Sequence, residues 1–179
     1  MRLQNTKAFE VPRRGAPFKK VFMKIIKANI KHIDELMKLR QGFALFHDRI
    51  AGRKKSAGWE KDYKKILIKE LKSKNILKLL AVEGKETAGT AFCEIYSSVP
   101  GTGSWAVSKK TGLIKNVYVK EKYRGKGIAT KLFKECFKFM KSNGVRGTEL
   151  MVAINNKNAH RLYKKLGYKD VSIRMRKII

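Results

Sequence analysis

The sequence predicts a single mixed α/β domain, and three observations carry that expectation. A chain of 179 residues supplies one proper core and is too short for two comfortable domains. Apolar residues make up 43% and charged residues 32%, the balance of a chain that folds and stays in solution. Segments of helical and strand period alternate in the order β-α-α-β-β-β-α-β-α-β, with no internal repeat.

Residues 1–20 hold Pro12 and Pro17 with Arg13, Arg14, Lys19 and Lys20, and read as a basic, poorly ordered arm; the folded domain is expected over 21–179. Val21 to Lys27 reads as a first strand. Asn29 is the expected cap of a helix carrying Ile33, Leu36, Met37 and Phe43. Gly52 to Gly58 is small and basic, hence a loop. Trp59, Tyr63, Ile66, Leu67 and Leu71 recur at helical spacing and form a second amphipathic helix. Leu77–Val82 and Thr87–Ser97 flank the turn Glu83-Gly84-Lys85-Glu86, as in a hairpin. Val99–Thr111, with Pro100, Gly101 and Gly103, reads as a turn-rich loop, and Leu113–Val119 as a third strand of the group. A helix follows with Ile128, Leu132, Phe133, Cys136, Phe137 and Met140 on one face, closed by Asn143-Gly144. Thr148–Ala153 is the next expected strand, Lys157–Leu166 a short helix closed by Gly167, and Val171–Ile178 a last strand.

Lys and Arg total 43 against 14 Asp and Glu, a net charge of +29. Such a surface attracts polyanions, among them RNA and the ribosome, and disfavours steering of a free cation. The lysines are spread along the chain rather than gathered, so a solvated lysine coat explains them better than a dedicated nucleic-acid groove does. No apolar run approaches the roughly 18 residues of a membrane span. Cys93 and Cys136 match neither a metal spacing nor a disulfide framework, so no metal is expected and a reducing, cytoplasmic setting is the default.

The informative element is the strand, then Arg124-Gly125-Lys126-Gly127-Ile128-Ala129-Thr130, then the helix. A helix N-terminus carries free N–H groups and a partial positive charge. Small residues let that backbone close around a diphosphate. A P-loop would need Gly-x-x-x-x-Gly-Lys-Ser/Thr, which is absent, and a dinucleotide fingerprint would need three spaced glycines opening a βαβ unit, which does not fit.

This segment resembles the acetyl-CoA signature of the GNAT superfamily of N-acetyltransferases, Gln/Arg-x-x-Gly-x-Gly/Ala, as Arg124, Gly127 and Ala129. A second stretch, Asn156-Lys157-Asn158-Ala159-His160-Arg161-Leu162-Tyr163-Lys164-Lys165-Leu166-Gly167-Tyr168, resembles the family's Asn-x-x-Ala-x-x-Leu-Tyr-x-x-x-Gly-Phe/Tyr. The likeness covers Leu113 to the end; the first half fits by element order alone. It implies a mostly antiparallel mixed sheet flanked by helices and splayed between its two central strands. It implies acetyl-CoA as cosubstrate, with Val117, Tyr118 and Val119 lending backbone groups to the pantetheine arm. The amides of Gly125, Lys126, Gly127, Ile128, Ala129 and Thr130 would hold the diphosphate, with Arg124 adding charge. Lys126 would reach a phosphate or stay solvated. Asn156 would lie near the cofactor while capping its helix.

The implied reaction is direct attack of a primary amine on the thioester, through a tetrahedral oxyanion held by an amide near Val117. Tyr163 matches the family tyrosine that protonates the departing sulfur. The amine must also lose a proton, so a base or a water chain is required. Lys115-Asn116 stands where many members carry a carboxylate, and Met151 where some carry a glutamate. Glu149, on the same strand face as Met151, and Glu94, inside Ala91–Ile95, are the alternatives, with water-mediated deprotonation a third. Glu94 is either isolated and buried, with a raised pKa, or solvent-facing on an edge strand. A basic nucleic-acid or ribosome-binding module without catalysis is the competing reading. The acceptor amine (a protein N-terminus, a lysine or a small molecule) and the choice of monomer or homodimer are left open.

Overall fold

The computed structural model describes residues 23–51, 58–97, 109–175 and 177. The expected arm over 1–20, the start of the first strand and most of the loops over 52–58 and 99–111 lie outside them. The elements are β1 (Lys24–Lys27), a 3-10 turn (Ile30–His32), α1 (Ile33–Ala51), α2 (Trp59–Leu71), β2 (Ile76–Glu83), β3 (Glu86–Ser97), β4 (Lys110–Val119), a second 3-10 turn (Glu121–Tyr123), α3 (Ile128–Ser142), β5 (Gly147–Leu150) and α4 (Lys157–Lys165).

The five strands lie in sequence order, each antiparallel to the next except for the parallel pair β4–β5. A parallel pair needs a crossover, and α3 supplies it. Asn29 caps the turn leading into α1: its side chain accepts from Lys31 N at 3.0 Å, while its own N–H donates to His32 Nδ1 at 3.1 Å. At the far end of α3, Gly144 takes φ +77° and Val145 N–H bonds back to Met140 O at 3.0 Å, which stops the helix.

The alternation of strand side chains divides the core. On one face Leu77, Leu79, Ala91, Cys93, Ile95 and Ile114 meet Leu132, Phe133, Cys136 and Met140 of α3, with Tyr163 and Leu166 of α4 packed at the margin. On the other, Leu80 and Phe92 meet Leu36 and Leu39 of α1 and Leu67 of α2. Lys78 shares that second face, fully buried, its ammonium paired with Glu70 of α2 and lying 3.7 Å from the centre of the Phe92 ring.

Two irregularities shape β4. Phe92 stands opposite Lys115 and Thr90 opposite Tyr118, so Asn116 and Val117 together face Ala91 alone. This is a bulge of one residue, which bends the strand and interrupts the ladder. Asn116 adopts φ +53°, a left-handed conformation that asparagine tolerates better than most residues, and its Nδ2 donates to the Tyr63 hydroxyl at 3.2 Å. The second irregularity is on the other edge: β4 pairs with β5 only from Thr111 to Ile114. Beyond that point β4 continues for five residues and β5 stops, so the two strands part.

Two sequence expectations need correction. β5 ends at Leu150 rather than Ala153, because its pairing with β4 ends there. The last strand expected over Val171–Ile178 does not form over its described part: residues 171–175 join no sheet, and Val171, Ile173 and Met175 are 55%, 83% and 90% exposed. Alternating apolar residues make a strand only with a partner edge. Among the described residues the opened pair is therefore the next-to-edge and edge strands rather than the two central ones.

Candidate active site

The gap between β4 and β5 organises the site. In an antiparallel ladder the backbone groups of successive residues point to opposite sides. Lys120 N–H donates to Ala88 O at 2.8 Å, toward β3, so the groups of Tyr118 also face β3 and those of Val117 and Val119 face the gap. Tyr118 does not offer its backbone there. Its contribution is its side chain, which lies against α1: its ring packs edge-on to Phe43 at 6.4 Å. A β-carbon on Gly42 would fall 2.8 Å from the Tyr118 hydroxyl, so α1 needs glycine at that point to let the ring in.

The Gly-rich turn closes one end of the gap. Gly125 and Gly127 take φ +77° and +72°, in open space, so glycine is used here for its backbone freedom. Gly127 caps α3 without a side-chain bond, and the first intrahelical bond is Lys131 N–H to Gly127 O at 3.1 Å. The N–H groups of Ile128, Ala129 and Thr130 therefore have no intrahelical acceptor. Ile128 is 2% exposed and anchors the turn to the core. Arg124 is less free than expected: its Nε donates to Val119 O at 3.1 Å, and its guanidinium lies 4.7 Å from the centre of the Phe46 ring. It braces the turn against the end of β4 and takes up one carbonyl of the gap. Lys126 is exposed, its ammonium 5.5 Å from the centre of the Tyr123 ring.

Asn156 caps α4, accepting from Ala159 N at 3.2 Å, and its amide nitrogen has no hydrogen-bond partner among the described residues. Tyr163 is half-buried among Phe133 (5.5 Å between ring centres) and Tyr168 (6.2 Å). Burial pushes its phenol up to about 12, so it stays protonated at neutral pH and is suited to donate.

The carboxylates sit on the opposite face of the sheet from α3. Glu94 is neither isolated nor on an edge: β3 is the middle strand, and the Lys115 ammonium pairs with Glu94 at 2.5 Å and with Glu70 at 3.2 Å. Burial works to raise the Glu70 carboxyl, but Lys78 and Lys115 outweigh it and hold it below its usual range. Burial lowers the Lys78 ammonium. Burial opposes charge on Lys115 too, yet Glu94 and Glu70 prevail and raise it. Lys115, read in the sequence only as a missing acid, is thus the bridge between two acids. Glu149 is exposed on β5 and accepts a hydrogen bond from the Tyr96 hydroxyl. Burial and then Glu149 push that phenol up to about 12. Tyr96 was not signalled by its own surroundings in the sequence; only the β3–β4–β5 register brings it to Glu149. Among the described residues no group of His, Cys, Asp and Glu is placed to hold a metal, and no helix is long and apolar enough to cross a membrane.

A bulged strand parting from its parallel neighbour, with a glycine-rich turn and an uncapped helix N-terminus at the end of the gap, defines the N-acetyltransferase class of α/β domains. The chain belongs to the acetyltransferase (GNAT) family, whose family model matches residues 42–168. A predicted acetyltransferase from Clostridium acetobutylicum, solved with acetyl-CoA, shares the fold at a TM-score of 0.74 and 21% identity, over 88% of this chain and 96% of that one. An aminoglycoside N-acetyltransferase in complex with CoA does so at 0.72 and 16%, over 90% and 98%. An uncharacterized N-acetyltransferase of Methanocaldococcus jannaschii is 35% identical over 60 residues, which is 34% of this chain. The match spans about a quarter of that relative's length, 26%.

Proposed function

We propose that the protein transfers the acetyl group of acetyl-CoA to a primary amine by direct attack through a tetrahedral intermediate. The observation that carries this reading is the parting of β4 from β5 after Ile114 and Leu150, directly beside the Gly125–Thr130 turn. An extended pantetheine amide can complete the open strand edge through Val117 and the N–H of Val119. The amides of Gly127, Ile128, Ala129 and Thr130 then meet the diphosphate at the positive end of α3. The bulge turns the Val117 region out of the ladder, which suits its N–H to the oxyanion. Tyr163 supplies the proton for the departing thiolate. The amine loses its proton to the Glu149–Tyr96 pair, directly or through water. Glu94, held by Lys115, shapes the charge of the acceptor side rather than serving as a free base.

Two measurements test the reading together. Saturating acetyl-CoA should raise the melting midpoint by mass action, and no shift would count against it. With an accepted amine, Tyr163→Phe should lower kcat by about 10²-fold at unchanged acetyl-CoA affinity; full turnover would show that the phenol is not the donor. The net charge of +29 favours a second reading, a polyanion-binding module such as one for RNA, either alone or combined with catalysis. Binding to mixed RNA that falls steeply with salt supports it, and no binding at low salt removes it.

A further inference from the structure

The bulge of β4 is gripped by α2. Strict alternation from Ile114 would put Asn116 on the α3 face of the sheet and Val117 on the other. Instead Ile114, Val117 and Val119 all pack on the α3 side, while Lys115 and Tyr118 face α1 and α2. Asn116 is the inserted residue, and its side chain reaches α2, where Nδ2 donates to the Tyr63 hydroxyl at 3.2 Å. Lys115, the residue before it, pairs with Glu70 of the same helix at 3.2 Å. Tyr63 and Glu70 are seven residues apart, close to two turns, so they share one face of α2. That face thus holds both residues that precede Val117.

Tyr63 is a fixed anchor. Its ring stands 5.9 Å from that of Trp59, and the Arg40 guanidinium lies 4.9 Å from its centre while also meeting Phe43 at 5.2 Å and Trp59 at 5.5 Å. Burial, the largest influence on it, pushes the phenol up to about 12, so Tyr63 stays protonated at neutral pH and acts by position rather than by taking a proton. The residue it holds needs holding. Asn116 has φ +53°, a conformation that asparagine tolerates without preferring it. The planar peptide that follows Asn116 carries the Val117 N–H, so the torsions of Asn116 aim that donor.

We propose that Tyr63, acting through Asn116, is a positioning residue that aims the Val117 N–H at the thioester carbonyl. This rests on the acetyltransferase reading and deepens it. The hydrogen bond to α2 opposes relaxation of the left-handed turn, and so keeps the donor where the oxyanion forms. A small displacement of such a donor removes much of its effect, because the oxyanion needs it at hydrogen-bond distance.

The probes are acetyl-CoA and CoA, because only the first brings a thioester carbonyl to the site. In isotope-labelled protein the Val117 amide proton should resonate further downfield with acetyl-CoA than with CoA. In Tyr63→Phe and in Asn116→Gly that difference should fall by about half or more, while CoA affinity by calorimetry stays within about twofold. Glycine keeps the positive φ without strain, so a role for backbone conformation alone would leave Asn116→Gly unaffected. The double variant should lose no more than either single one, since both changes remove the same bond. With an accepted amine, each variant should lower kcat about 10-fold at unchanged KM for acetyl-CoA, part of the roughly 10²–10³ of a whole oxyanion donor. An unchanged Val117 signal in Tyr63→Phe, an unaffected Asn116→Gly, additive losses in the double variant, or a loss of CoA affinity in either single variant would each overturn the proposal. Equal Val117 shifts with the two ligands in the unaltered protein would also overturn it, while leaving cofactor binding intact. Failure of the unaltered protein to bind either ligand sinks the acetyltransferase reading, and this inference with it.

Discussion

Gly127 and Gly144 mark the two ends of α3 and offer a controlled comparison. Both have positive φ, +72° and +77°, and a β-carbon added at either would meet nothing within 4 Å. Alanine at either position therefore suffers the same backbone strain, about 1–2 kcal/mol. It gains back about 0.4–1 kcal/mol from a less flexible unfolded chain. Each variant should lose about 1 kcal/mol of stability, a fall of about 2–4 °C in Tm for a domain of this size. Their ligand responses should differ. The 15-residue helix separates the two glycines by about 22 Å, and only Gly127 lies where the diphosphate is proposed to approach the amides. One hydrogen bond to a charged group is worth about 1.5–3 kcal/mol. Gly127→Ala should thus weaken acetyl-CoA binding by about 10- to 100-fold in calorimetry, and Gly144→Ala by less than about twofold. Equal affinities in the two variants would refute the argument that the turn cradles phosphate.

Three further outcomes follow from the same geometry. Gly42→Ala puts a methyl into the Tyr118 ring; overpacking of about 1–3 kcal/mol should outweigh the helix propensity gained, and acetyl-CoA affinity should drop as β4 shifts, both readable by thermal melts with and without ligand. Glu70→Gln removes the partner of buried Lys78 and should cost about 3–5 kcal/mol by urea denaturation at pH 7. The Glu70 carboxyl is depressed in the fold below its unfolded value of 4.5, so the fold loses protons there that the unfolded chain still binds. Its stabilisation is complete above pH 4.5 and disappears as the pH falls through the depressed value; the acid limb of stability should flatten in Glu70→Gln, and an unchanged limb would contradict the pairing. Arg124→Ala frees Val119 O and unpins the turn from Phe46, and should lower acetyl-CoA affinity at least as much as Arg124→Lys, by calorimetry.

What the sequence disclosed was what local chemistry encodes. Glycine at 125 and 127 between an apolar strand and an amphipathic helix announces the turn, and Trp59 to Leu71 announces α2 with its boundaries intact. Tyr163 was marked only by the resemblance of Asn156–Tyr168 to the family's second motif. The bulge was hidden, because Lys115-Asn116-Val117 reads as ordinary strand until the register of β3 shows two residues facing Ala91. Glu94 was misjudged for the same reason: its partner Lys115 is 21 positions away, and only strand pairing joins them. Lys78 carries no mark in the sequence, since nothing nearby in the chain reveals its partner Glu70 or the Phe92 ring beside it. Arg40 gathers its rings from two helices, which no helical period displays. The pattern of Val171, Ile173 and Met175 promised a strand, but alternation specifies a face and not a neighbour.

The most direct measurement is a crystal structure of the complex with coenzyme A. The account predicts the pantetheine chain lying along β4 between Ile114 and Val119, its amides paired with Val117 and Val119. It also predicts the diphosphate within hydrogen-bond distance of the amides of Gly127 to Thr130. A complex in which the ligand binds elsewhere, or in which side chains fill the space between β4 and β5, would contradict it.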